Sequence, residues 1–490
     1  MICISDIFSI IKRRYMIFLG TIFLLVRLIW LHSLPIFNDE AIYLHWGIKF
    51  FRNLEIGFPL LVTLDGKQAG IPIVYGLLQF LPTDPLITAR LFGVLFSLFT
   101  YYYSLKIFNY FYPHDNPLLY ILLLTFCPYL LFFDRMALPE NVIIACYTAA
   151  FYFIIKISEK PTLKLSILLG LFLAFGWWFK STILLFFPPL FLFIFLLVFK
   201  NRKKCFMKLG YIIISGLVFL LFISPLLLSS DYQRVSFNEM SRVLSLSEIL
   251  NTPIQNVLIK INNIFFWFFN LTSPLAIVGF IFSFCSKKSM QKKYLLMLFV
   301  ILPILLEAIF LKIFTSRYIV FVVQLFLILV YEGIKNAAKI GRYLGLLITG
   351  NLIIISTVLI FFPAQYYQLM KRLPVFEEDQ NQYFIGWTSG WGIKEAVDYI
   401  YEDARNKNVI VFVRRDSGNP EDAVYVYLNK NITSVSLIDF LPRYKKQKDV
   451  EMYYLSRGTQ MAGLTREVQE LKVFPKPYDN EYIGVYKIIN

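Results

Sequence analysis

A series of long apolar runs constrains this chain more than any other feature. Crossing roughly 30 Å of hydrocarbon takes about 17–25 apolar residues in a helix. Eleven runs of that kind fall near 15–34, 86–108, 117–133, 139–157, 163–179, 182–199, 209–229, 262–284, 294–312, 317–333 and 343–362. The run at 71–81 is too short to span and contains Pro72, which makes it an interfacial or re-entrant helix. Inside a bilayer the backbone must satisfy its own N–H and C=O groups, so these runs read as helices. Composition agrees, with 58% hydrophobic and only 16% charged residues, where a soluble globular chain has about 45–50% and about 25%. A water-soluble enzyme of ordinary class is excluded. So is a disulfide scaffold, with five cysteines in 490 residues.

The apolar runs stop at Phe361-Phe362-Pro363, and the charge pattern changes at the same place. From Ala364 to Asn490 there are 17 basic and 17 acidic residues, so the whole net charge of +16 belongs to 1–363. Two domains follow: a transmembrane domain over 1–363, with a first outer loop at about 35–87, and a soluble domain over 364–490. With the N-terminus in the cytoplasm, alternate loops collect 19 basic residues against Asp6, Asp115, Glu159 and Glu332. That is the positive-inside pattern of a multi-pass protein of the cell membrane. An odd number of spans then puts the C-terminal domain outside. The basicity faces anionic lipid, and no nucleic acid is implied.

The remaining charges of the membrane domain fall on the outer face, where each must pair, face a cavity or bind a charged ligand. Asn38-Asp39-Glu40 follows the first span at the start of an amphipathic helix, a place where carboxylates either cap the helix or do chemistry. Leu64-Asp65-Gly66-Lys67-Gln68 is a turn carrying one lysine, which either snorkels to headgroups or holds a phosphate. Asp134 and Arg135 precede Pro139-Glu140, where Pro suits the first helical position. Lys180 is the sole charge between the fifth and sixth spans, and Arg317-Tyr318 opens the tenth. Glu307 stands near Lys312 at the end of the ninth, and Arg27 lies inside the first, where it is expected to line a cavity.

In this order the outer-face signals resemble the GT-C superfamily of polyprenyl-phosphate-dependent glycosyltransferases. The likeness is to glycosyltransferase family 39 and its bacterial relatives, the protein O-mannosyltransferase and aminoarabinose transferase group. Asp39-Glu40 is similar to the acidic pair of the family's first loop. Asp65-Gly66-Lys67-Gln68 with Pro72 and Tyr75 resembles its lysine-proline segment, and Ala89-Arg90-Leu91 its arginine-leucine signature. Arg135 followed by Glu140, then Lys180, then Arg317-Tyr318 resemble further family positions, and Gly386-Trp387-Thr388-Ser389-Gly390-Trp391-Gly392 resembles the start of the bacterial soluble domain. Gln68-Ala69-Gly70 stands in place of a proline-rich stretch, and Glu140 in place of the more frequent aspartate.

The resemblance implies a polytopic α-helical GT-C fold of about eleven transmembrane helices with a small extracytoplasmic α/β domain. It also implies transfer of a sugar from a polyprenyl-phosphate donor to an acceptor at the outer face of the lipid bilayer. Asp39 would be the general base, and Glu40 would orient the loop or hold an acceptor or metal. Lys67, Arg135, Lys180 and Arg317 would neutralise the donor phosphate, supported by Asp134, Tyr318 and Glu140, the last by orienting Arg135. His is 3 in the chain, and His32, His45 and His114 show no metal-ligand spacing. No cofactor is implied, although carboxylates alone could hold a divalent ion. The acceptor is open between protein, lipid and glycan. A transporter or flippase of lipid-linked sugars and a non-catalytic accessory subunit are the rival readings.

Within 364–490 an amphipathic helix at 392–407 and a buried strand at 409–413 are expected. A helix near 420–428 and strands near 433–438 and 482–488 complete a small α/β core. Its expected role is acceptor recognition or closure of the cavity, with a stabilising cap the alternative.

Overall fold

The computed structural model describes residues 4–52, 68–78, 80–200, 202–229, 232–285, 290–373, 376–405, 407–414, 418–428, 433–444, 449–458, 464, 466–477 and 480–489. The apolar runs, and several segments between them, are largely helical. They form α1 (Ile4–Leu28), α2 (Asn38–Arg52), α3 (Gly70–Leu78), α4 (Pro85–Phe111), α5 (Leu118–Thr125), α6 (Pro128–Asp134), α7 (Glu140–Glu159), α8 (Leu163–Phe179), α9 (Phe187–Lys200) and α10 (Arg202–Leu227). Then come α11 (Tyr232–Ser241), α12 (Leu246–Asn251), α13 (Ile254–Leu271), α14 (Pro274–Ser283), α15 (Met290–Phe310), α16 (Val323–Asn336) and α17 (Ala338–Phe361). The short run at 71–81 forms α3, too short to cross a bilayer.

Local chemistry sets several of these ends. Asp84 Oδ1 accepts the N–H groups of Leu86 and Ile87 at 2.9 and 3.1 Å and so caps α4, whose first residue is Pro85. Thr162 caps α8 in the same way through Leu165 N. Ser245 and Glu248 close a reciprocal capping box on α12.

Among the described residues, six helices are long and apolar enough to cross a membrane, or seven if a bent pair counts as one span. Two of the expected spans are interrupted. The run at 117–133 is two short helices, because Pro128 lacks an N–H and opens α6 instead of continuing α5. The run at 262–284 bends by 109° between α13 and α14, where Ser273 has φ 88° and Pro274 begins the next helix. The runs at 182–199 and 317–333 each begin with a 3-10 turn, Ser181–Phe186 and Ser316–Val322.

The chain divides into two compact units. The first holds the described residues of Met1–Leu31, Leu60–Ile71 and Arg90–Tyr366. Helices α7 and α16 are its buried centre, and α14 packs against α16 so closely that a Cβ on Gly333 would overlap the Gly279 carbonyl. The outer helices expose apolar side chains such as Leu217, Leu220 and Leu221 of α10 and Leu346 and Leu347 of α17. For a multi-pass membrane protein that surface faces lipid.

The second unit holds the described residues of His32–Pro59, Pro72–Ala89 and Tyr367–Asn490. Here α18 (Pro363–Lys371) from Tyr367 onward, α19 (Glu377–Tyr383), α20 (Ile393–Ala404) and α21 (Glu421–Tyr427) accompany β1 (Asn408–Val413), β2 (Thr433–Leu437), β3 (Val450–Arg457), β4 (Val468–Pro475) and β5 (Tyr482–Ile488). The sheet order is β2-β1-β3-β5-β4, with β1 parallel to β2 and β3, and β5 antiparallel to β3 and β4. Phe412, Ile438, Leu441, Met452, Tyr454, Tyr486 and Ile488 fill one core of the sheet. Helix α20 packs on strands β1, β3, β4 and β5 and buries Ile393, Ala396, Val397 and Ile400, the face expected from its periodicity. Strands β3 and β4 are additional to the expected elements.

Candidate active site

In the first unit, three segments bring a carboxylate and two cations together. Glu140 stands in the first turn of α7, just after Pro139, and is 3% exposed. Lys180 is the extended residue between α8 and the following 3-10 turn, and its ammonium lies 2.6 Å from Glu140 Oε1. Arg317, in the 3-10 turn that leads into α16, places Nε 3.5 Å from the same oxygen. The Tyr318 ring is within reach of both cations, 4.5 Å from Lys180 Nζ and 5.5 Å from the Arg317 guanidinium carbon. Glu140 thus uses one oxygen to hold Lys180 and Arg317 side by side. Among the described residues its Oε2 has no hydrogen-bond partner.

A second acid joins this cluster from α15. Glu307 is 3% exposed and lies near enough to Lys180, Glu140 and the Tyr147 hydroxyl for their charges to interact. Lys312, which stands near it in sequence, places its ammonium 2.9 Å from Glu248.

The arginines and Asp134 near the end of α1 form a separate arrangement. Arg27 is completely buried, 2.8 Å from Asp134 Oδ2, and also donates to the carbonyls of Phe23, Leu124 and Thr125 at 3.3 Å each. Its expected place at a cavity wall is therefore replaced by a buried ion pair, in which Asp134 Oδ1 has no hydrogen-bond partner among the described residues. Arg135 donates to the Val26 and Trp30 carbonyls at 3.2 and 2.8 Å, and Arg90 to that of Leu31 at 2.7 Å. Side-chain donors thereby satisfy carbonyls that the end of a helix leaves open. Burial first, then the nearby charges of Arg90 and Arg27, lower the Arg135 pKa to about 10, which leaves it charged at neutral pH. Glu140, expected to orient Arg135, instead contacts Lys180 and Arg317.

The second unit carries the acidic pair. Asp39 and Glu40 lie in the first turn of α2, Asp39 half-buried and Glu40 fully buried. Glu40 Oε2 accepts the Phe37 N–H at 2.9 Å, reaching back one turn as the acid of a capping box does. Further along, His45 Nδ1 meets Asp422 Oδ1, and the Tyr425 ring stacks on the imidazole at 3.7 Å. Lys67, with Asp65 and Gly66, lies outside the described residues. Among the described residues no three or more His, Cys, Asp or Glu side chains converge as the ligands of a metal would, so no chemical step is derived through one.

The family model described as dolichyl-phosphate-mannose-protein mannosyltransferase matches residues 74–228. No curated relative matches the chain by sequence. Among solved structures, the fold is similar to ArnT from Cupriavidus metallidurans in the apo state, with 11% identity, a TM-score of 0.63 and 97% of this chain and 98% of that chain covered. It is also similar to the same protein bound to undecaprenyl phosphate, with 12% identity, a TM-score of 0.60 and coverage of 96% and 98%. The comparisons thus give a family-model match over residues 74–228 and a fold similar to that of ArnT along nearly the whole length of the chain.

Proposed function

We propose that this chain transfers a sugar from a polyprenyl-phosphate-linked donor to an acceptor at the outer face of the cell membrane. The observation that carries the reading is the cluster of Glu140, Lys180, Arg317 and Tyr318, built from segments far apart in sequence, in a fold whose solved counterpart was crystallised with undecaprenyl phosphate. In this reading the chain crosses the membrane eleven times, its N-terminus is cytoplasmic and residues 364–490 are extracytoplasmic. The loop lysines and arginines support that orientation.

The chemistry follows from the residue types. The acceptor hydroxyl gives its proton to the Asp39 carboxylate, and its oxygen bonds to the anomeric carbon of the sugar. The bond from that carbon to the phosphate oxygen breaks, and its electron pair leaves with the polyprenyl phosphate. Negative charge grows on the phosphate as this happens. Lys180 and Arg317 neutralise it, Lys as a point charge and Arg as a planar fork, together with Lys67 and Arg135. Glu140 keeps the two cations of the cluster from separating while the site is empty. Glu40 fixes the turn that presents Asp39.

The phosphate assignment is tested by native mass spectrometry with undecaprenyl phosphate as the probe. Retention of the lipid by wild type and its loss in Lys180→Ala/Arg317→Ala is the expected result. Equal retention by both would overturn the assignment.

A further inference from the structure

The helix that carries Asp39 is held at two places by the C-terminal part of the second unit. The first is its start. Asn419 is fully buried, and its backbone N–H donates to Asn38 Oδ1 at 2.8 Å. Its Nδ2 donates to the carbonyls of Ile36 at 3.0 Å and Thr388 at 2.9 Å. The Asn38 N–H bonds to the same Thr388 carbonyl at 3.0 Å. One asparagine therefore binds the chain on both sides of Phe37, immediately before Asp39.

The second place lies about two turns along α2, where His45 Nδ1 meets Asp422 Oδ1. The other oxygen of Asp422 accepts the Gly418 N–H at 2.5 Å. A single carboxylate thus joins the helix to the loop that carries Asn419. The approach of the loops is too close for a side chain. A Cβ on Gly390 would run into the Ile36 carbonyl, and one on Gly418, at φ 105°, into Asn38 Oδ1. Contacts this specific, on a segment three residues long next to an acid, exceed what a stabilising cap requires.

We infer that Asn419 and Asp422 are positioning residues that fix the direction of Asp39, a role that rests on reading Asp39 as the base. The C-terminal region then completes the catalytic apparatus through α2, and its contribution is to turnover more than to donor affinity.

The test uses the full-length chain in nanodiscs with a polyprenyl-phosphate sugar that supports turnover. In Asn419→Ala and Asp422→Ala, kcat is expected to fall about 10- to 100-fold, the effect of a displacement of order 1 Å near a reacting group. The donor KM is expected to stay within about twofold, since the loss is one of turnover and not of uniform binding. Asp422→Asn keeps an acceptor for the Gly418 N–H and is expected to recover part of kcat. Lys487→Met on β5 is the reference for general weakening of the same sheet, with kcat unchanged.

Hydrogen exchange over residues 36–44 is read in parallel and does not depend on what Asp39 does. It is expected to accelerate in Asn419→Ala while exchange over 143–155 in α7 stays as in wild type. Unchanged exchange at 36–44, or a fall in kcat matched by Lys487→Met, would overturn the positioning role. Full turnover by Asp39→Ala together with accelerated exchange in Asn419→Ala would remove the base assignment and leave the contact to the C-terminal region intact.

Discussion

The Lys180 ammonium lies 2.6 Å from Glu140 Oε1, although 40 residues separate the two in sequence. One residue closes α8 and the other opens α7, so the pair joins two helix ends, and Arg317 from a third segment shares the same carboxylate oxygen. Removing one member of a buried pair leaves the others uncompensated, which costs about 3–5 kcal/mol. Glu140→Gln is therefore expected to lower thermal stability in detergent and to cut kcat, since Lys180 and Arg317 lose their common anchor. A variant with wild-type melting temperature and wild-type kcat would contradict that role.

Arg27 and Asp134 form the most buried ion pair described, with 0% and 2% of their side chains exposed. Asp134→Ala leaves a guanidinium in the protein interior with only backbone carbonyls to receive it, at a cost of about 3–5 kcal/mol. The double variant Arg27→Met/Asp134→Leu removes both charges and is expected to recover most of that loss, because burying two ions is itself costly. Fluorescence-detected size-exclusion chromatography after heating measures both. Asp134→Ala as heat-resistant as wild type would show that the pair contributes nothing.

Acid and alkali are expected to act on the sheet of the second unit at opposite ends of the pH scale. Partial burial works against the Asp403 carboxylate, but the Tyr453 hydroxyl at 2.6 Å and Lys487 at 3.0 Å outweigh it and hold its pKa below the ordinary 3.8. Its contribution to stability is present above pH 3.8 and is lost as pH falls through the lower value of the folded state. Burial likewise works against Lys487, yet its bonds to Asp403 and Glu451 raise it above 10.5. That contribution is present below pH 10.5 and is lost as pH rises through the raised value. Lys487→Met is expected to flatten both limbs, read as hydrogen exchange of β3 and β5 in the full chain between pH 3 and pH 11. Identical pH profiles for variant and wild type would refute the coupling.

Helix positions were legible in the sequence because apolar length is a strong signal. The five elements foreseen in 364–490 also follow from periodicity. Strand β3 was not legible. Its buried residues Met452, Tyr453, Tyr454 and Leu455 form too short an apolar run beside Glu451 and Ser456 to stand out. Strand β4 is missed for another reason, since Gln469 and Glu470 are exposed at the sheet edge and give no apolar pattern. In the site, the types Lys180, Arg317 and Glu140 could be read from the order of outer charges, but not their partners. The resemblance pairs Glu140 with Arg135, whereas packing of α7, α8 and the Ser316–Val322 turn sets it against Lys180 and Arg317. The Asp422 link to His45 spans 377 residues, and no local pattern in the chain could announce it.

Release of polyprenyl phosphate tests the central claim most directly. Wild type and Asp39→Ala are incubated with a panel of undecaprenyl-phosphate hexoses and pentoses and membrane extract as the source of acceptor, and free undecaprenyl phosphate is followed with time. Release by wild type with at least one sugar, reduced about 100-fold or more in Asp39→Ala as loss of a general base entails, is the expected result. Equal release by the two proteins, or movement of the lipid-linked sugar across the membrane without any transfer, would contradict the assignment of this chain as a glycosyltransferase with Asp39 as its base.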